Sequence, residues 1–425
     1  MGKNRKEHKE SNDSKKEEKS DEIEFDFSRI KKIFLNPTLL IIILLLIPMF
    51  LAGYFRMYPA YLPIAEKWAD SSIQNNIRYQ ITNQVNQQYP NLPDAQKQLL
   101  IDEQAKTYIS NNQEAYNQAI IQNADAIRQQ FKDETGTNYL SDIDTWSYYR
   151  YVRNLVEKGH SYDEIRSDGK AYDNHKIAPL GELMQKEFKG AAFHVWVGFF
   201  THKIIVLFNQ DASVMGTFFF VSVIISVLSV IPAFFLARKI GGNVGGFFAA
   251  TIIAVHPAFL ARTGGGIVDT DAYAVFFPLL ISWLFIEAFE KENLTKKIIW
   301  GTLAGATIGL YSFAWGGYWY IFDFIIIAMI GYILYYMLLN KNELKKGVIH
   351  LFKNRNIKDS IILLVILLLV SGVFVTFFSS FEVFKSGFTE PINRLTMTSA
   401  TKTDLWPNVL TTVAELNAAS VSQVI

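Results

Sequence analysis

The stretch PTLLIIILLLIPMFLAGYF, Pro37 to Phe55, holds no charged side chain. A helix rises about 1.5 Å per residue, so about 20 apolar residues cross the hydrocarbon core of a bilayer. This run therefore predicts a membrane span over 37–56. Working outward, comparable runs near 213–237, 243–261, 272–289, 297–314, 316–339 and 359–378 predict six more. The expected fold class is all-α, a polytopic membrane helix bundle. Half of the chain is hydrophobic, more apolar side chain than a soluble domain of this length needs, and the bilayer is the sink. Charge collects before Leu35, between Pro59 and Lys189, and in short loops, so the net charge of +1 carries no nucleic-acid inference. The absence of cysteine excludes disulfides, thiol catalysis and thiolate metal ligands.

The loops set an expected orientation. Arg29, Lys31 and Lys32 precede the first span; Arg238 and Lys239 follow the second; Lys291, Lys296 and Lys297 follow the fourth; Lys345, Lys346, Lys353 and Arg355 follow the sixth. All fall on one side, and the positive-inside rule makes that side cytoplasmic. The expected organisation is a disordered cytoplasmic tail over 1–34, a first transmembrane helix over 35–58, and a large external loop over 59–212. A transmembrane bundle over 213–378 and an external loop over 379–425 complete it. Ala191 to Phe208 is apolar but contains His194, His202 and Lys203, so it reads as interfacial or packed on the bundle rather than spanning. The sequons at Asn12 and Asn293 both fall on the cytoplasmic side.

Within the external loop, Ile73, Ile77, Ile81 and Val85 recur at four-residue spacing. Pro90-Asn-Leu-Pro93 comes next, then a second run with Ile109, Ile120, Ile127 and Phe131. That pattern predicts a Gln/Asn-rich helical hairpin with a proline-marked turn, structural or partner-docking rather than catalytic.

Three external elements put carboxylates beside membrane ends: Asp142-Ile-Asp144-Thr-Trp-Ser-Tyr-Tyr-Arg150, Arg262-Thr-Gly-Gly-Gly-Ile-Val-Asp269-Thr-Asp271, and Thr412-Val-Ala-Glu415. A carboxylate pair at a membrane edge is unfavourable unless neutralised. Two readings of Asp269 and Asp271 stand: ligands of a hard divalent ion, Mg²⁺ or Mn²⁺, or acids that cap a helix start and complement its dipole. Trp146, Tyr148 and Tyr149 are candidates to stack on a sugar or to anchor the loop, and the tract from Ala314 to Tyr320 reads as an interface anchor.

Taken together these motifs resemble the catalytic subunit of oligosaccharyltransferase, most closely its archaeal form. The signatures are an external aspartate six residues before an arginine (Asp144, Arg150), an arginine seven residues before Asp-x-Asp (Arg262, Asp269, Asp271), and a later Thr-x-x-Glu (Thr412, Glu415). Their order along the chain agrees, and the resemblance covers most of 140–425. It implies a GT-C-type glycosyltransferase that moves an oligosaccharide from a dolichol-type lipid phosphate or pyrophosphate to asparagine in Asn-x-Ser/Thr of an acceptor protein or peptide, with inversion. Asp144 and Glu415 would accept hydrogen bonds from the acceptor amide, weakening its conjugation. Asp144, Asp269 and Asp271 would hold Mn²⁺ or Mg²⁺. Arg262, His175, Lys176 and Arg150 are the candidate contacts to glycan or phosphate. The resemblance implies a single-subunit enzyme of the cell membrane, in contact with membrane lipids, with its site outside the cell.

The family also carries a later external domain with a Trp-Trp-Asp-Tyr-Gly motif that reads the sequon. That motif does not occur in these 425 residues, so the expectation is a fragment or a natural truncation. The rival readings are another polyprenyl-phosphate-sugar transferase, which would not need Thr-x-x-Glu, an inactive fragment, and a transporter or scaffold. A transporter predicts charged residues inside the spans, where only Glu287 and Asp323 stand out.

Overall fold

The computed structural model describes residues 36–184, 192–340 and 354–395. The chain divides into two compact units, Met1–Leu44 and Leu45–Ile425. In the first, the described residues open helix α1 (Pro37–Met57). The second holds all the elements after it.

The segment after α1 begins with three helices, α2 (Ile64–Gln88), α3 (Asp94–Asn111) and α4 (Gln113–Gln130). The expected hairpin forms at Pro90–Pro93, but its second arm breaks at Asn112, whose side-chain amide donates back to the Tyr108 carbonyl at 2.8 Å. Each half of that arm packs on its own part of α2. Ile101 and Ala105 meet Ile81 and Val85, whereas Ala124 meets Ala65 and Ala69. Arg128 closes the base of the arm on Glu66 at 2.8 Å.

Next come α5 (Ile143–Lys158) and a small antiparallel sheet, β1 (Glu164–Ile165), β2 (Ala171–Asp173) and β3 (Glu182–Met184). Its order is β1-β2-β3, with Glu164 opposite Tyr172 and Ala171 opposite Met184. The expected all-α class holds for the chain, and this small sheet is a local addition to it that the sequence did not reveal, since strands of two or three residues leave no periodicity to read. Helix α6 (Phe193–Val206) bears out the packed reading: His194, Val195, Gly198 and His202 are buried. Val195 joins Val152 and Leu155 of α5 and Phe218 of the short α7 (Val214–Phe218) in one apolar cluster.

Helix α8 (Val221–Val255) is two arms rather than one rod. At Gly242 the backbone takes φ 60°, ψ −160°, which a side chain would oppose. The chain folds back there so tightly that a Cβ on Gly246 would lie 2.9 Å from the Phe234 carbonyl oxygen. The two arms correspond to the two separate runs expected near 213–237 and 243–261. Pro257 then starts α9 (Pro257–Thr263), and α10 (Asp271–Glu290), α11 (Leu294–Ala314), α12 (Trp319–Leu339), α13 (Arg355–Phe378) and α14 (Phe381–Leu395) complete the described chain. Asn293 of the second sequon is the N-cap of α11, accepting from Lys296 N–H at 3.1 Å.

Among the described residues, five helical stretches are long and apolar enough to cross a membrane: 37–88, 214–255, 271–290, 316–339 and 355–378. The expected span over 297–314 is helical, yet α11 is not among the five. Lys296, Lys297 and three glycines dilute its apolar content. Those glycines have a packing role. Gly301, Gly305 and Gly309 form a stripe along one face against α13, where a Cβ on Gly305 would lie 2.9 Å from Val370 Cβ. Small residues at four-residue spacing let two backbones approach where lipid supplies no hydrophobic drive between helices. The core extends from this contact through Phe277, Ile281 and Leu284 of α10 to Ile308 and Tyr311, with the Phe277 and Tyr311 rings stacked at 5.1 Å.

Candidate metal and glycan site

The loop between α9 and α10 is where the acidic elements meet. Residues 264–268 thread between α1, α5, α6 and α7, and neighbours take up their backbone groups one after another. Gly265 N–H donates to the Arg56 carbonyl at 2.8 Å, Gly266 N–H to Phe219 O at 3.2 Å, and Ser141 N–H to Gly266 O at 3.0 Å. Gly266 has φ +85°, and a Cβ there would lie 2.8 Å from the Phe219 ring, so this position requires glycine. Arg56, at the end of α1, is fully buried and reaches the same region. Its Nε donates to Thr263 Oγ1 at 2.8 Å, its Nη1 to Ala254 O at 2.8 Å, and its guanidinium lies 4.6 Å from the Phe259 ring.

Held in this way, Asp269 comes to the start of α5. One carboxylate oxygen from each of Asp142, Asp144 and Asp269 lies within 4.8 Å of the others. Like charges so close repel by about 3 kcal/mol per pair at an effective dielectric constant of about 20. Burial, then Asp269 and Asp142, push Asp144 above the usual carboxylate range, while Arg262 pulls the other way. An all-oxygen set of three acids from two segments fits a hard divalent cation. Tyr148, one turn on from Asp144, is pushed up to about 12 by burial and then by Asp269 and Asp144, so it faces these acids as a neutral phenol.

The grouping differs from the expected one. Asp144 and Asp269 converge as expected, but their third partner is Asp142. Asp271 is instead paired with Arg262, Oδ2 to Nε at 2.8 Å, and Arg262 is more than half exposed. The signal for Asp142 was present: 142–144 repeats the Asp-x-Asp spacing of 269–271. Glu415 and Thr412 lie outside the described residues.

Arg150 and His175 belong to a different cluster. Arg150 bridges Asp163 at 2.7 Å and Asp173 at 2.6 Å. Asp163 also receives Asn154 Nδ2 at 3.0 Å, Asn174 N–H at 2.9 Å and His175 Nδ1 at 3.1 Å, and Tyr151 O–H donates to Asp173. Lys176 pairs with Glu182 at 3.1 Å. This network ties α5 to the small sheet, so its members are engaged in structure. Trp146 is engaged likewise, its ring N–H donating to Leu140 O at 3.1 Å.

Burial alone would raise Asp163, but the Asn174, His175 and Asn154 hydrogen bonds and the Arg150 charge hold it well below the usual carboxylate range. A group depressed by folding contributes stability above its unfolded pKa, about 4, and that stability is lost as pH falls towards the folded value. Thermal melts of the detergent-solubilised protein are therefore expected to decline below about pH 4. Arg150→Ala, which takes the guanidinium away from two nearly buried carboxylates, is expected to cost about 3 kcal/mol at neutral pH. An unchanged melting temperature in that variant would show that the network carries no stability.

Comparison with known proteins gives the site its family. The description "Oligosaccharyl transferase STT3, N-terminal" matches residues 115–425. Among curated relatives, the dolichyl-phosphooligosaccharide-protein glycotransferase of Methanococcus voltae is 30% identical over 312 residues, covering 69% of this chain and 33% of that protein. The protein of the same description from Methanocaldococcus jannaschii is 26% identical over 376 residues, covering 69% and 39%. The chain thus spans little more than a third of the length of these relatives. A solved Archaeoglobus fulgidus oligosaccharyltransferase, AglB, in complex with an inhibitory peptide and a dolichol-phosphate, is 19% identical with a TM-score of 0.43, covering 61% of this chain and 30% of that one. With residues 115–425, and the convergent acids among them, inside the family match, the chain belongs to the oligosaccharyl transferase STT3 family.

Proposed function

We propose that this chain is the membrane-embedded catalytic part of an oligosaccharyltransferase, a GT-C-type enzyme. It transfers a glycan from a dolichol-type lipid phosphate or pyrophosphate to the side-chain nitrogen of asparagine in Asn-x-Ser/Thr. The observation that carries this reading is the meeting of Asp142, Asp144 and Asp269, drawn from segments 123 residues apart at Thr145 and Val268. Membership of the STT3 family and the naming of the curated relatives as glycotransferases support it.

Asp142, Asp144 and Asp269 would hold Mn²⁺ or Mg²⁺, which when bound supplies counter-charge for the departing phosphate. The acceptor nitrogen is a poor nucleophile because its lone pair is delocalised into the amide carbonyl. Asp144 is assigned to accept a hydrogen bond from one amide proton and Glu415 from the other, turning the nitrogen out of conjugation. The nitrogen then bonds to the anomeric carbon from the face opposite the phosphate oxygen. That carbon–oxygen bond breaks with inversion, and the surplus proton of the nitrogen passes to a carboxylate. Arg262, exposed beside the acids, is assigned to the phosphate, with Asp271 orienting it.

The basic residues Arg238, Lys239, Lys291, Lys296 and Lys297 support a cytoplasmic N-terminus. The site then lies outside the cell membrane, in a single-subunit enzyme. The test is a transfer assay with the native gene product, a lipid-linked glycan labelled in its sugar, Mn²⁺ and an Asn-x-Thr peptide. Label is expected on that peptide and not on its Gln-x-Thr counterpart. Equal label on both peptides, or label moving only to another lipid, would replace this reading with a different sugar transfer.

A further inference from the structure

The acids converge because of the residue before Asp269, not because of anything the acids themselves do. Val268 is fully buried, and both of its backbone polar groups are taken by side chains of other helices. Its N–H donates to Thr145 Oγ1 at 2.9 Å, and its carbonyl faces His194 Nε2 at 3.1 Å. Thr145 comes directly after Asp144 on α5, and Val268 directly before Asp269. The Thr145–Val268 bond therefore sets two neighbouring carboxylates side by side.

His194 acts on the other flank. Facing a carbonyl, its Nε2 must carry the ring proton, so Nδ1 is left to accept from Tyr273 O–H at 2.9 Å. Val268 and Tyr273 bracket the stretch Asp269-Thr-Asp271, and one imidazole bridges the bracket. The ring has no room to swing, with Tyr148 edge-on at 4.8 Å and Phe218 at 5.5 Å. Burial pushes His194 down to about 4, which keeps it in this neutral donor–acceptor form.

We propose that Thr145 and His194 are positioning residues that fix the separation of the Asp144 and Asp269 carboxylates through the Val268 peptide, and through it the affinity of the site for a divalent cation. The cation part rests on the functional reading above; the separation part does not. Outer-shell partners of metal ligands typically change affinity by about 10-fold to 100-fold when removed.

Two measurements keep these parts apart. In the first, Mn²⁺ binding to the purified full chain is measured by electron paramagnetic resonance in the wild type, Thr145→Val and Thr145→Ser. Thr145→Val is expected to weaken binding about tenfold, and Thr145→Ser, which keeps the hydroxyl, to restore it. In the second, no metal is involved. The natural absence of cysteine lets Asp144→Cys and Asp269→Cys be paired and their disulfide formation timed under mild oxidation. Adding Thr145→Val or His194→Phe is expected to slow cross-linking about tenfold, while His194→Gln, which can still donate to Val268 O, stays close to the parent rate.

Cross-linking at the parent rate in both Thr145→Val and His194→Phe would overturn the positioning role. Wild-type protein that binds no Mn²⁺ would remove the cation reading alone, and the cross-linking rates would still decide the rest. A Thr145→Val protein that fails to fold leaves the decision to the His194→Phe and His194→Gln pair.

Discussion

Asp269→Ala is expected to lower the proposed glycan transfer by on the order of a thousandfold, because it removes a ligand of the cation that would offset the charge on the departing phosphate. Asp142→Ala and Asp144→Ala are expected to fall in the same range, since all three oxygens share one small volume. Asp271→Ala is the informative contrast. Its carboxylate is paired with Arg262 and stands outside the group of three, so its loss is expected to cost about tenfold, the size of an orienting partner. Initial rates of label transfer at saturating peptide decide the matter. If Asp271→Ala proved more damaging than Asp142→Ala, Asp271 would return to the ligand set that its spacing from Asp269 suggests.

The second large effect is on folding. Gly309→Val puts a branched side chain where even a Cβ would meet Phe374, including its backbone carbonyl carbon at 2.8 Å. A flexible side chain could move aside, but a backbone cannot, so α11 and α13 must separate. Overpacking of this kind costs about 3 kcal/mol or more, and here it also strips the close contact that substitutes for a hydrophobic drive in lipid. A drop in melting temperature and aggregation on size exclusion are expected. Gly331→Ala on α12 is the control, because nothing lies within 4 Å of its added carbon and no change is expected. Equal behaviour of the two variants would mean that the glycine stripe is incidental to packing.

Most of the spans were legible in sequence because crossing a bilayer is a one-dimensional requirement, met by length and apolarity, whereas the run over 297–314 was read as a span and is a helix that falls short of that requirement. The reversal at Gly242 was legible too, as the break between two apolar runs that Arg238 and Lys239 mark. The break at Asn112 was not, since the apolar spacing continues through it and only packing on two parts of α2 shows that the arm is divided. The small sheet escaped because its strands are shorter than any period. At the site, Asp144 and Asp269 could be picked out by motif and by the side of the membrane they share. The choice between Asp142 and Asp271 could not, because it depends on which acid an arginine reaches in space. His194 was visible only as a polar residue that argued against a span. Its role depends on the Val268 carbonyl, a backbone group that no side-chain pattern reports.

The fold-back at Gly242 has one more implication. A strand of chain that enters the lipid and returns delivers both of its flanking segments to a common shore. The upstream acids at 142–144 and the downstream acid at 269 thus share one side by connectivity, whichever way the molecule is inserted. On the orientation proposed above, swapping the lysines and arginines across the membrane would carry the whole cluster to the opposite compartment without taking it apart.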